Sequence, residues 1–222
     1  MKLLIWRNVK KLPFFSILDE FIILFNKAAR YKYKQYQFPH VKAIYKQTNM
    51  TLIVSGTNRP NSNTLKIAKY YQKALAQKGE KATILSLTDL PQDLISGGYY
   101  GKTLEDFEPL QQQITKAHRF IFIIPEYNGS FPGILKLFID ACKFPVSFMD
   151  KKAALVGHST GKYGNIRGIE HFTGVCNYIG LHVMPLKLHI PNIAFEINDD
   201  GDLFKEDTLK FTEMQMDKFL VF

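Results

Sequence analysis

Cysteine is scarce in this 222-residue chain: Cys142 and Cys176 stand alone, each in an apolar stretch. Two such residues make neither a disulfide framework nor a zinc-binding spacing, and they fit a reducing compartment, which we expect to be the cytoplasm. Long apolar runs are missing too. Residues 12–25 come nearest, but Ser16, Asp19 and Glu20 interrupt them, and a membrane span needs roughly 20 apolar residues. The same stretch is not expected to be a signal peptide, since its apolar run is interrupted and no small-residue cleavage site follows, nor a transit peptide, being poor in Arg and Ser. The loop over residues 55–64 has no Gly-x-Gly-x-x-Gly and no Gly-Lys-Ser/Thr, so neither a dinucleotide fingerprint nor a Walker loop is supported there. No metal-ligand spacing occurs. Residues 198–202 are acidic enough to look faintly like a calcium loop but lack its closing Glu and its flanking helices, so a tight hairpin turn is expected.

What the chain has in excess is positive charge, a formal net of +9. Ten of its 29 Lys and Arg, but only two of its 20 acids, fall within residues 1–49. The remaining 173 residues are close to neutral, which leaves no electrostatic footprint for nucleic acid on them. Residues 31–37, rich in Tyr, Lys and Gln, have no core pattern. We read residues 1–49 as a basic extension outside the fold, with residues 50–222 as the domain. The alternative is a peripheral membrane or partner-binding arm, because Ile17, Phe21, Leu24 and Phe25 lie at helical spacing. No firm membrane association is expected.

After Met50 the pattern becomes regular. Apolar periodicity predicts strands over 51–55, 81–87, 119–124, 153–157 and 182–185. It predicts helices over 63–77, 104–116, 133–142, 168–179 and 206–220. Alternation of this kind makes an α/β doubly wound parallel sheet of five strands with helices on both faces. In such a sheet the carboxyl ends of the strands share one edge, and ligands bind there.

Three strand ends carry unusual loops. The first, after residue 55, offers Thr57, Arg59, Ser62, Asn63 and Thr64 just where a helix opens. A helix start has unpaired N–H groups and the positive end of the dipole, which suit a phosphate. A simple cap would explain one such residue, not five. The second loop is Pro125-Glu126-Tyr127-Asn128-Gly129-Ser130-Phe131-Pro132-Gly133. It has the amides, the ring and the small residues needed to hold a flat aromatic ligand. Glu126 has no paired carboxylate or His nearby in sequence, so a hydrogen-bonding role is expected of it, not acid–base catalysis. The third loop, residues 157–168, holds four glycines, which let backbone approach a ligand closely. Within it Gly157-His158-Ser159-Thr160-Gly161 matches the Gly-x-Ser-x-Gly elbow of a serine hydrolase that would use Ser159. No convincing Asp…His pair follows.

Taken together, the three loops resemble those of the NADPH-dependent FMN reductase family, whose members include flavin, quinone, azo-dye and chromate reductases. The resemblance spans residues 50–191 and is most specific over Pro125–Ser130 with Pro132-Gly133 and Leu135-Lys136. It implies a flavodoxin-like sheet of order 2-1-3-4-5, bound FMN, and NADPH or NADH as co-substrate. By position, Thr57, Arg59, Ser62, Asn63 and Thr64 would hold the FMN phosphate. Pro125, Glu126, Tyr127, Asn128, Gly129 and Ser130 would line the ring and ribityl chain. Ser159, Gly161, Tyr163, Gly164 and Asn165 would approach from the other side. The expected activity is ping-pong hydride transfer to a quinone, flavin, azo or similar acceptor, in a homodimer or homotetramer. A flavin-binding electron carrier without fast turnover is the alternative. No residue need be catalytic, since the flavin carries the chemistry. His158 departs from the family pattern, which more often has a small or apolar residue there.

Overall fold

The structure, a computed structural model, describes residues 50–95, 105–198 and 200–222. The expected extension over 1–49 lies outside the described residues, as do Leu104 at the expected start of a helix and Asp199 in the expected turn.

The first strand, β1 (Thr51–Ser55), is buried along its whole length, as a β-branched, apolar run between two other strands should be. It leads through a loop into α1 (Asn63–Gln77), whose start is capped by the Ser62 hydroxyl accepting from the Leu65 amide. The chain continues through β2 (Ala82–Ser86), the short α2 (Gln92–Ile95) and α3 (Glu108–Lys116). β3 (Arg119–Pro125) then runs into the second loop and α4 (Gly133–Ala141). β4 (Lys152–His158) runs into the third loop and α5 (Ile166–Tyr178). Two short strands, β5 (His182–Val183) and β6 (Leu188–Ile190), precede the terminal helix α6 (Glu206–Val221).

The strands are parallel throughout, in the order β2-β1-β3-β4-β5. The expected order is therefore present, with one refinement. The fifth position is shared: β5 pairs with Lys152 and Ala153, and β6 with Val156 to His158. Opposite the break, Gln215 of α6 donates through Nε2 to the Leu155 and Leu186 carbonyls, and its Oε1 accepts from the Tyr71 hydroxyl. A side chain thus satisfies a buried carbonyl that the interrupted strand leaves open.

Side-chain alternation along the strands separates two cores. Leu52, Val54, Phe120, Phe122 and Ile124 face a layer built by α2, α3, α4 and α5, with Leu135, Phe138 and Phe172 fully buried. Ile53, Ile121, Ile123 and Val156 face α1 and α6, which contribute Ile67, Tyr71, Leu75, Met216 and Phe219. Each fully buried Leu, Ile or Phe contributes about 1.5–3 kcal/mol of transfer free energy. Helices therefore cover both faces, and the carboxyl ends of β1, β3 and β4 open together at one edge.

Candidate functional site

At that edge lies a cleft of about 540 Å³, within the usual range of small-molecule sites. Its floor and one end come from the loop after β1. Arg59, Asn61, Ser62, Asn63 and Thr64 line it. The Leu65 and Lys66 amides both bond back to the Ser62 carbonyl, whereas the amides of Asn63 and Thr64 have no protein acceptor among the described residues. They are the orphan donors of a fifteen-residue helix, and both residues line the cleft.

The opposite wall is the loop after β3, with Pro125, Glu126, Tyr127 and Asn128 lining the cleft. The Tyr127 and Ser130 backbones exchange hydrogen bonds of 2.9 and 3.1 Å. Asn128 and Gly129 between them have φ of 51° and 77°. Positive φ at both central positions makes this a type I′ turn, for which Asn-Gly is the favoured pair. The turn leaves the Asn128 and Gly129 amides without protein acceptors. Thr57 does not line the cleft. Its hydroxyl, buried, bonds the Tyr127 hydroxyl at 2.8 Å and accepts from the Arg59 amide. The Arg59 guanidinium lies 5.7 Å from the Tyr127 ring centroid. Thr57 therefore ties the first loop to the second and fixes both Arg59 and Tyr127.

The third wall comes from the end of β4: His158, Ser159 and Thr160, with Ile193 beside them. His158 Nε2 bonds Thr64 Oγ1 at 2.9 Å, and its Nδ1 is buried with no partner. Burial pushes the imidazole down from 6.5 to about 4, so the ring is neutral at ordinary pH. The Ser159 hydroxyl donates to the Gly161 carbonyl and accepts from the Gly164 amide, at 2.9 and 3.0 Å. A hydroxyl engaged this way closes its own loop. No carboxylate bonds the unpartnered His158 Nδ1. Both partners of the Ser159 hydroxyl are backbone groups of its own loop, so among the described residues the elbow-like sequence has no Ser-His contact of the kind a triad requires.

The rest of the third loop sits behind or beside the cleft. Asn165, fully buried at φ 69°, donates through Nδ2 to the Ile124 carbonyl. Gly164 has φ of 60°, and an added Cβ would come within 2.7 Å of the His189 and Ile190 backbone. Ser130 contacts His171 Nδ1 through its hydroxyl at 3.0 Å, away from the cleft lining. Gly129 and Gly161 have open space where a Cβ would be. Tyr163 borders a second hollow of about 130 Å³ with Glu126, Ile166 and Arg167, so Glu126 links the two. Among the cleft-lining residues, Asn61, Thr160 and Ile193 are absent from the sequence expectation. His158 appears there only as a departure from pattern.

A ligand with an anion at one end and a flat ring at the other matches these donors. The unpaired helix-start amides and Arg59 suit a phosphate. The turn over Tyr127–Ser130 presents a ring, two unengaged amides and a glycine beside it.

A sequence model of the NADPH-dependent FMN reductase family matches residues 50–194. The chain is similar to a 2-hydroxy-1,4-benzoquinone reductase of a Burkholderia species, 29% identical over 171 residues, covering 75% of this chain and 92% of that protein. It is similar also to an FMN-dependent NADPH-azoreductase of Staphylococcus aureus, 24% identical over 163 residues, covering 71% and 85%. Among solved structures it resembles FerB, a flavoenzyme NAD(P)H:(acceptor) oxidoreductase from Paracoccus denitrificans. The TM-score is 0.66 at 26% identity, over 78% of this chain and 96% of that one.

Proposed function

The chain belongs to the NADPH-dependent FMN reductase family, and on that premise we propose that it holds FMN in the carboxyl-edge cleft and oxidises NAD(P)H with a small-molecule acceptor. What carries the proposal is the pair of unpaired Asn63 and Thr64 amides beside Arg59, at one end of a cleft whose far wall is the Tyr127–Ser130 turn. These amides and the guanidinium bind the phosphate dianion. Thr57 holds Tyr127 in place, and the unengaged Asn128 and Gly129 amides would serve as donors to the polar atoms of a bound flavin ring. Gly161, Gly164 and Asn165 shape the loop that closes the cleft from the β4 side. The chemistry supplied by bound FMN is hydride acceptance from NAD(P)H and transfer, in ping-pong order, to a quinone, flavin, azo or similar acceptor. Tyr163, Ile166 and Arg167 border the adjoining hollow, an exposed aromatic and aliphatic shelf on which the nicotinamide or the acceptor stacks.

The wider expectations belong to the same proposal. Phe144, Tyr178, Phe195 and Phe204 are each at least half exposed, and a homodimer or homotetramer would cover apolar surface of that kind. No described helix is long and apolar enough to cross a membrane; the cytoplasmic location is part of the proposal. Residues 1–49 are kept as an extension outside the domain.

Reconstitution tests the core of it. Purified protein should take up FMN, turn yellow, and oxidise NADPH catalytically with a benzoquinone or free flavin. Protein that cannot be reconstituted with FMN sinks the proposal. FMN uptake with only stoichiometric NADPH oxidation would mark an electron carrier in its place.

A further inference from the structure

The anion end of the cleft contains a hydrogen bond that capping and packing leave unexplained. Thr64 and His158 are 94 positions apart in sequence, are almost wholly buried at 1% and 5% exposure, and bond each other through Oγ1 and Nε2. Thr64 is the second residue of α1, so its side chain sits beside the unpaired amides. His158 ends β4, and both residues line the cleft.

Either atom could donate in this bond, and the choice decides what the cleft presents. If Thr64 donates to His158, its lone pairs face the cleft and repel a phosphate. If His158 donates through Nε2–H, the Thr64 proton must go elsewhere. The other ring nitrogen settles the matter. Nδ1 is buried without a partner. A proton there would be a buried donor with no acceptor, whereas a bare lone pair there is the more tolerable state. The single proton of the neutral ring therefore belongs on Nε2. Thr64 Oγ1 has no second protein partner among the described residues, so its hydroxyl proton turns to the cleft.

We infer that His158 is a positioning residue that makes this site select phosphorylated over unphosphorylated flavin, by holding the Thr64 hydroxyl as a donor to the phosphate. The inference rests on FMN occupying the cleft as proposed above. A phosphate only accepts hydrogen bonds at neutral pH, so a relay of Nε2–H to Thr64 Oγ1 and Thr64 O–H to phosphate serves it. Riboflavin ends in a neutral hydroxyl that both donates and accepts, and gains little from a fixed donor.

The test is the ratio of FMN to riboflavin affinity, read by flavin fluorescence quenching, with the ³¹P resonance of bound FMN as a second readout. Thr64→Val and His158→Leu should each lower the ratio about tenfold, the scale of one hydrogen bond to a charged group, and shift the resonance. The double variant should fall no further than Thr64→Val alone, because His158 acts through Thr64. His158→Gln should keep the wild-type ratio, since its Nε2 amide can donate from the same place. A wild-type ratio in His158→Leu, a further loss in the double variant, or equal losses in Leu and Gln would each overturn the inference. Should His158→Leu fail to fold, Thr64→Val and His158→Gln decide: an unchanged ratio in the first, or a lost ratio in the second, overturns it. Wild-type protein that binds FMN no better than riboflavin overturns this inference alone. Protein that binds neither overturns the proposed function with it.

Discussion

The loops after β1 and β4 leave the same edge of the same sheet and look alike as strings of small polar residues. Their hydrogen bonds differ. In the loop before α1, the Asn63 and Thr64 amides have no protein acceptor, and Arg59 lies exposed above Tyr127. In the loop before α5, Ser159 bonds Gly161 and Gly164, Asn165 bonds the Ile124 carbonyl, and the Ser159 and Gly161 carbonyls take the Ile193 and Asn192 amides. One loop leaves two of its donors unengaged by protein among the described residues. The other spends most of its donors on its own shape, and His158 joins the two. Polar composition marks a ligand loop only when the donors lack internal partners.

That contrast can be broken or sharpened by substitution. The largest effect is expected at Gly164. A methyl there combines positive φ with contact to the His189 and Ile190 backbone, so Gly164→Ala should cost about 3 kcal/mol or more of stability in urea unfolding. A nearly unchanged midpoint would show that the self-bonded loop is looser than described.

Next comes pH. The His158 imidazole is depressed in the folded protein, from 6.5 to about 4. Between those values the unfolded chain binds the proton and the native protein does not. The contribution is therefore fully present above pH 6.5, declines as pH falls, and is gone below about pH 4. Its size is on the order of 3 kcal/mol. Unfolding of the apoprotein across this window, compared with His158→Gln, should show the extra acid sensitivity only in the wild type; parallel curves would refute it.

Arg59→Ala should weaken FMN binding about ten- to a hundredfold while moving stability by less than about 0.5 kcal/mol. Unchanged affinity contradicts the phosphate role. Ser159→Ala should show the opposite pattern. It leaves the Gly164 amide without its partner, while the Gly161 carbonyl keeps the Asn192 amide, costing about 1–2 kcal/mol of stability, with a smaller change in FMN affinity than Arg59→Ala. The smallest effect is expected at Gly161, where nothing lies near an added Cβ and φ is not positive. Gly161→Ala should change stability by less than about 1 kcal/mol, and a loss as large as that of Gly164→Ala would erase the distinction between the two glycines.

Much of this was legible before any coordinates. The strand over 51–55 and the helix over 63–77 match β1 and α1 end to end, because a pure apolar run and a Ser-capped amphipathic stripe are local signals. α5 begins two residues before its expected start, since Asn165 takes a left-handed conformation that periodicity does not register. β3 extends one residue further, to Pro125, because pairing with His158 draws it in. β6 was not legible. Leu188–Ile190 holds only three residues close to Pro185 and Pro191, and it is a strand only through its pairing with β4. Ile193 reaches the cleft for the same reason: its amide bonds the Ser159 carbonyl next to that strand.

By itself, the sequence determined the alternation of strands and helices, the edge where loops gather, and which segments carry phosphate- and ring-suited groups. These follow from periodicity, capping and turn chemistry, all of which act over a few residues. The tertiary structure alone decided which polar groups remain available. It engaged Ser159 and Asn165 within the protein, left the Asn63 and Thr64 amides open, and brought His158 to Thr64 across 94 residues. A residue type states what bonds a side chain can make; only the packed chain settles which of them its neighbours have already taken.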